Sequence, residues 1–169
     1  MESDSSCTID LAIEDPRWTR EVADIEAFCR HCLATGLAIA GPNLPVELAV
    51  LLTSDARVRE LNARYRGRDR ATDVLSFPTL TPAELETAGR APAPLLLGDI
   101  LLAFETVRAD ARREGKPLAA HLAHLLIHGL LHLLGHDHER EAEAAAMEEM
   151  ERRVLAALGL PDPHAVAVR

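Results

Sequence analysis

Residues 8–14, TIDLAIE, set Ile9, Leu11 and Ile13 between polar neighbours, the two-residue period of a half-buried strand, and Asp15 with Pro16 stops it. From 17 to 35 the period changes. Val22, Ile25, Phe28, Cys29, Cys32 and Leu33 recur at three- and four-residue spacings, which predicts an amphipathic helix stopped by Gly36. Beyond the turn residues Gly41, Pro42, Asn43 and Pro45, the apolar run 46–53 predicts a second strand, and Ser54 is placed to N-cap a helix reaching about Tyr65. Residues 72–77 read as a third strand closed by Pro78. Residues 79–97 carry Pro82, Gly89, Pro92 and Pro94 and predict a surface loop, with a helical turn at PAELE. GDILLAF, 98–104, gives a fourth strand, followed by a helix over 105–114 that Gly115 stops. Pro117 suits the first turn of a helix over 118–134, which is apolar nearly all round apart from its histidines, the pattern of a buried element. Gly135 ends it. A last helix runs over 139–158, acidic outside and lined with Ala, Met, Val and Leu within, before a C-terminal tail over 160–169.

This order of elements contains no repeat and predicts an α+β fold: one domain over 1–169, a small mixed sheet of about four strands packed by five or so helices. A chain of 169 residues, 48% hydrophobic, suffices for one core and is short for two. It holds no uncharged apolar run of about 18 residues, and MESDSS lacks the basic and apolar regions of a secretory signal. No membrane contact and a cytoplasmic location are therefore expected. The net charge of -9, from 27 acids against 18 bases, argues against a general nucleic-acid coat or a basic membrane-surface protein. An anionic partner has to be met by a local basic patch. Aromatic residues make up only 3%, which argues against stacking successive bases on aromatic platforms.

Eight histidines are the anomaly, and spacing gives some of them a meaning. Residues 128–138 read HGLLHLLGHDH. His128 and His132, four apart on a helix, project from one face about 40° apart and one turn apart. His138 would point elsewhere on a straight helix, but Gly135 can adopt positive φ and turn the chain back. Three neutral imidazoles with an open fourth position form the pattern of a catalytic zinc site, since structural sites fill all four positions with protein ligands. Such an ion, one per chain, lowers the pKa of a bound water toward about 7 and polarises a phosphoryl or carbonyl oxygen, so hydrolysis is the expected reaction class. Other late first-row metals also accept imidazole. His31, His121, His124 and His164 are expected to be ordinary core or surface residues. Asp137, Glu141 and Asp73 are candidates to orient a ligand imidazole through its second nitrogen.

The spacing matches that of the metzincin metalloproteases, HExxHxxGxxH, except that Gly129 stands where the protease keeps its catalytic glutamate. That glutamate is the base activating water for peptide attack, so a peptidase is disfavoured. With HGLLHLLGHDH, the stretch LNARYRGRDRATDVLSFP over 61–78 and GDI at 98–100, the chain resembles the YbeY family of bacterial single-strand endoribonucleases and rRNA maturation factors. It departs from the family signature, HGxLHLxGYDH, at His136, where tyrosine is usual. The resemblance implies a metal-dependent endoribonuclease acting on single-stranded RNA, with roles in 16S rRNA 3′-end processing and ribosome quality control. It implies also that His128, His132 and His138 hold zinc, that Arg66 of the YRG segment is required, and that the partners are 16S rRNA and the small ribosomal subunit with its proteins or assembly factors.

The residues make a separate case for Arg66. Six arginines (57, 59, 64, 66, 68 and 70) against Glu60 and Asp69 give a local charge of +4 inside an acidic chain. Their planar forks match phosphate oxygens bidentately. The CxxC of Cys29 and Cys32 lies late in a helix rather than at its N-terminus, so core packing is expected over redox chemistry. A rival from another class is a ribosome-assembly binding factor whose metal is structural. Ligand-histidine variants of such a factor would still bind ribosomal particles and support assembly.

Overall fold

The computed structural model describes residues 7–67, 72–87, 94–137 and 139–164. Strand β1 (Cys7–Ile13) is followed by helices α1 (Arg17–Glu21) and α2 (Ile25–Ala40), then β2 (Val46–Thr53) and α3 (Asp55–Arg66). Next come β3 (Val74–Pro78), the short α4 (Pro82–Glu86) and β4 (Leu95–Ala103). Three helices close the chain: α5 (Phe104–Arg113), α6 (Leu118–Leu133) and α7 (Glu141–Ala157). The sheet order is β1-β2-β4-β3, with β1, β2 and β4 parallel and β3 antiparallel to β4. The chain is thus an α+β domain on one mixed four-stranded sheet, as expected, with seven helices among the described residues rather than five or so.

Alternation along the strands sorts side chains to the two faces of the sheet. Val46, Leu48, Val50 and Leu52 of β2, with Ile100 and Leu102 of β4, enter the main core beneath α2, α6 and α7. Leu101 and Ala103 of β4 point the other way, where Val58 and Leu61 of α3 cover them with Leu51 and Leu75. Helix α6 lies in the middle of the main core, buried nearly all round as its composition predicts.

Two sequence expectations fail here. The single helix over 17–35 is broken between α1 and α2, where Asp24 takes left-handed φ of 48° and its carbonyl accepts from Phe28 N–H at 2.9 Å. Gly36 does not stop α2, which continues to Ala40. A Cβ at Gly36 would lie 2.8 Å from Leu130 Cδ2, so this glycine lets α2 and α6 approach closely. The helix ends at Gly41, whose N–H donates to Leu37 O at 2.9 Å.

Several local signals act as read. Ser54 caps α3 by accepting from Arg57 N–H at 3.3 Å, and PAELE forms α4 under a Thr81–Glu84 capping box. The loop over 79–97 is shorter than expected, because β4 already begins at Leu95; residues 88–93 lie outside the described residues. At Gly98, φ is 135° and a Cβ would meet Phe77 O at 2.2 Å. Only glycine lets β3 pass there, next to a bulge at Leu97 that shifts the β2–β4 register.

Candidate functional site

Helix α6 carries His121, His124, His128 and His132 at intervals of three and four residues, along one side. Its C-terminus turns back in a Schellman motif: His136 N–H donates to Leu131 O at 2.9 Å and Gly135 N–H to His132 O at 3.0 Å, with Gly135 at φ of 95°. The glycine turn expected from the sequence is therefore present. It also returns the His136 carbonyl to His132, whose Nδ1 lies 3.1 Å away.

On the other side, α7 supplies Glu151, only 1% exposed. Its Oε2 lies 2.6 Å from His128 Nδ1, and its Oε1 accepts from Nε2 of His124 at 3.3 Å and from Nε2 of His164. Burial alone would raise the carboxyl's pKa. Hydrogen bonds from His124, His128 and His164 outweigh that and hold it well below the usual carboxylate range. Glu151 is thus an anion that can only accept.

These partners fix the two tautomers. Facing a carboxylate and a carbonyl, Nδ1 of both His128 and His132 must carry the proton, so in the neutral rings each Nε2 presents a lone pair. Those two Nε2 atoms lie 3.1 Å apart. Two lone pairs at that distance repel unless a cation sits between them. A tetrahedral ion about 2.0–2.1 Å from each of two imidazole nitrogens would hold them roughly 3.3 Å apart, so the pair fits a metal.

His138, the expected third ligand, lies outside the described residues. Arg66 ends α3, exposed, with Nη2 donating to Ser76 O at 2.6 Å and its guanidinium 5.2 Å from the Phe77 ring centroid. Ser76 Oγ in turn reaches Gly129 O at 3.4 Å, so Arg66 stands on the strand that lies against the 128–132 turn. Of the other arginines, Arg57 is held by Glu60 at 2.6 Å, while Arg68 and Arg70 lie outside the described residues.

None of the three acids expected to orient a ligand imidazole occupies the Nδ1 positions seen here. Those belong to Glu151 and the His136 carbonyl. Asp137 Oδ1 accepts from Glu139 N–H at 3.1 Å, Glu141 opens α7, and Asp73 sits with Asp110 and His121. Glu151 had a signal in the sequence: it is a lone acid on the apolar stripe Met147, Glu151, Val154, Leu155 of α7. His124 and His164, expected to be ordinary, instead form with Glu151 a candidate metal-binding group whose donor atoms lie within 4.8 Å of one another.

Gly129 explains the missing protease glutamate physically. A Cβ there would lie 2.9 Å from Ile100 Cγ2 and 3.1 Å from Ser76 Oγ, so the position faces the sheet and has no room for a side chain. Cys29 and Cys32 are free and fully buried, and burial pushes both thiols up to about 12, as core packing rather than redox chemistry requires. Among the described residues no helix is long and apolar enough to cross a membrane.

Fold and site together define a small α+β protein with a histidine-rich candidate metal centre. The profile of the family "Endoribonuclease YbeY" matches residues 12–159. An "Endoribonuclease YbeY" of Rhodopseudomonas palustris (strain BisA53) is 49% identical over 148 residues, covering 88% of this chain and 84% of its own. Another, of Paramagnetospirillum magneticum, is 48% identical over 161 residues, covering 93% of this chain and 96% of its own. The solution structure of TM1509 from Thermotoga maritima shares the fold with a TM-score of 0.56 at 23% identity, over 94% of this chain and 100% of that one. The chain belongs to the YbeY endoribonuclease family.

Proposed function

We propose that the protein is a zinc-dependent endoribonuclease that cuts single-stranded RNA, serving 16S rRNA 3′-end maturation and ribosome quality control in the cytoplasm. Family membership supports the nuclease reading. The observation that carries the metal is the 3.1 Å approach of the His128 and His132 Nε2 atoms with both Nδ1 protons committed elsewhere. In this reading His138 supplies the third imidazole. When bound, zinc lowers the pKa of a coordinated water and polarises a phosphoryl oxygen.

The chain's own residues do the rest. Glu151 and the His136 carbonyl keep the Nδ1–H tautomers, so that the lone pair of each ring sits on Nε2. Arg66 spends one N–H on Ser76 and keeps four of the guanidinium's roughly five donors for phosphate oxygens. Gly129 brings the helix against the sheet, which fixes the two histidines relative to the strand that Arg66 touches. The net charge of -9 repels RNA elsewhere, so binding leans on the small subunit and weakens steeply with salt.

The test is metal content together with cleavage of a single-stranded RNA, with a peptide as control substrate. Wild type should hold metal and cut RNA only. His132→Ala should lose cleavage and the metal of the His128/His132/His138 site, and Arg66→Ala should keep that metal and lose cleavage. Full cleavage by Arg66→Ala would remove its phosphate role, and stoichiometric metal in the His128/His132/His138 site of His132→Ala would remove the ligand assignment.

A further inference from the structure

One histidine of α6 has no role in the centre described above. His121, in the first turn of the helix, is 3% exposed, and neither Nδ1 nor Nε2 has a hydrogen-bond partner among the described residues. A buried imidazole with both polar atoms unmet is rare, because each atom gives up its water without recompense. Its surroundings are polar all the same. Asp73, just before β3, and Asp110 of α5 each bring a carboxylate oxygen to it, and the three donor atoms all lie within 4.8 Å of one another.

The carboxylates are anchored from outside this group. Asp73 Oδ1 accepts from Val74 N–H at 2.7 Å, and Asp110 Oδ1 pairs with Arg113 Nη2 at 2.8 Å. These bonds leave the second oxygen of each aspartate for another partner. The imidazole does not fill that place, since it hydrogen-bonds neither carboxylate. Burial pushes its pKa below the ordinary histidine value, so at neutral pH the ring is uncharged and keeps one lone pair. Two anions and one lone pair, close together yet unbonded, are the donor set of a divalent ion whose charge the two carboxylates cancel.

We propose that Asp73, Asp110 and His121 form a second metal site, taking a divalent first-row ion and tying β3, α5 and α6 together. Seven residues of helix, about 10 Å along the axis, separate His121 from His128. Paired catalytic metals stand roughly 3.5–4 Å apart, so this ion does not share the reaction. Its work is structural. Asp73 already accepts from Ala103 N–H through its carbonyl at 3.0 Å, so an ion on its side chain clamps the start of β3 to both helices. The His124/Glu151/His164 group is a weaker claimant, because its donors already hydrogen-bond one another.

The experiment loads metal-free full-length protein with Zn2+, and separately with Mn2+, removes excess by dialysis and counts ions per chain. Wild type should hold two equivalents of one of these metals, His132→Ala one, Asp110→Asn one, and the combined variant none. Asp73→Asn should repeat the Asp110→Asn result, and circular dichroism should show both variants folded. The same metal should also raise the melting temperature of His132→Ala but not of the combined variant, a readout independent of RNA cleavage. A single equivalent in wild type that vanishes with His132→Ala overturns the site and leaves the nuclease reading standing. A second equivalent that survives both aspartate variants lies elsewhere and overturns it too.

Discussion

Replacing Glu151 by glutamine probes the tautomer argument without changing the residue's size. The carboxylate accepts three imidazole N–H groups while 1% exposed, and an amide cannot do the same. If the new NH2 faces His128, Nδ1 must become an acceptor and the ring proton moves to Nε2, the atom that faces His132 at 3.1 Å. If the amide oxygen faces His128 instead, the NH2 meets the N–H groups of His124 and His164. A charge-assisted bond becomes at best a neutral one, a loss of about 1–1.5 kcal/mol, and some of the population holds the wrong tautomer. Outer partners of metal-bound histidines are worth about 10- to 100-fold in affinity, or ~1.4–2.7 kcal/mol. Glu151→Gln should therefore weaken zinc binding by about 10- to 100-fold in competition against a coloured chelator. Glu149→Gln, on the same helix but exposed and paired with Arg152, is the control and should change nothing. Zinc affinity within about twofold of wild type, in a folded Glu151→Gln protein, would refute the assignment of the Nδ1 proton to His128.

Other consequences can be measured on the same protein. Gly129→Ala should cost about 1–3 kcal/mol in urea unfolding, because its Cβ meets Ile100 and Ser76, and Gly129→Glu should give an unstable chain with no peptidase activity. Cys29 and Cys32, with thiols pushed up to about 12, should not react with a disulfide reagent at pH 8 until denaturant opens the core. Asp15 has its carboxyl held below the ordinary value, chiefly by the Arg17 side-chain hydrogen bond. A lowered folded value means its stabilisation is fully present above the unfolded pKa of about 3.9 and is lost as pH falls through the folded value. Asp15→Asn should flatten the fall in urea midpoint between pH 5 and pH 2.5; an unchanged slope would show that another group carries the acid sensitivity.

Signals that act over a few residues were legible in the sequence. The Ser54 cap, the helical turn at PAELE and the glycine turn at Gly135 are satisfied by atoms three to five residues away, so each is visible in a short window. Gly36 and Gly129 were not legible in the same way. Both are glycine because another element passes within about van der Waals contact, and which element passes is decided by the sheet order, where β4 inserts between β2 and β3. Glu151, conspicuous only as a lone acid on an apolar stripe, could not be tied to the site for the same reason. Its partner His128 is 23 residues away on a different helix, and nothing in the spacing of α7 names it.

In the candidate site the shared face of His128 and His132 follows from local spacing, but the groups that fix their protons do not. His128 and His132 need only a helix to share a face, and a helix is a local object. Their protons, however, are fixed by two groups of different origin: a carbonyl returned by the turn after α6, and a carboxylate carried by α7. The lone-pair geometry therefore exists only when α6, its turn and α7 are packed together, so binding a cation there stabilises that packing by the amount it prefers the assembled state. The same logic covers Glu151 itself. A carboxylate with 1% exposure is tolerable in an apolar core only because three imidazoles surround it, so the histidines that looked ordinary in the sequence are what let the acid be buried.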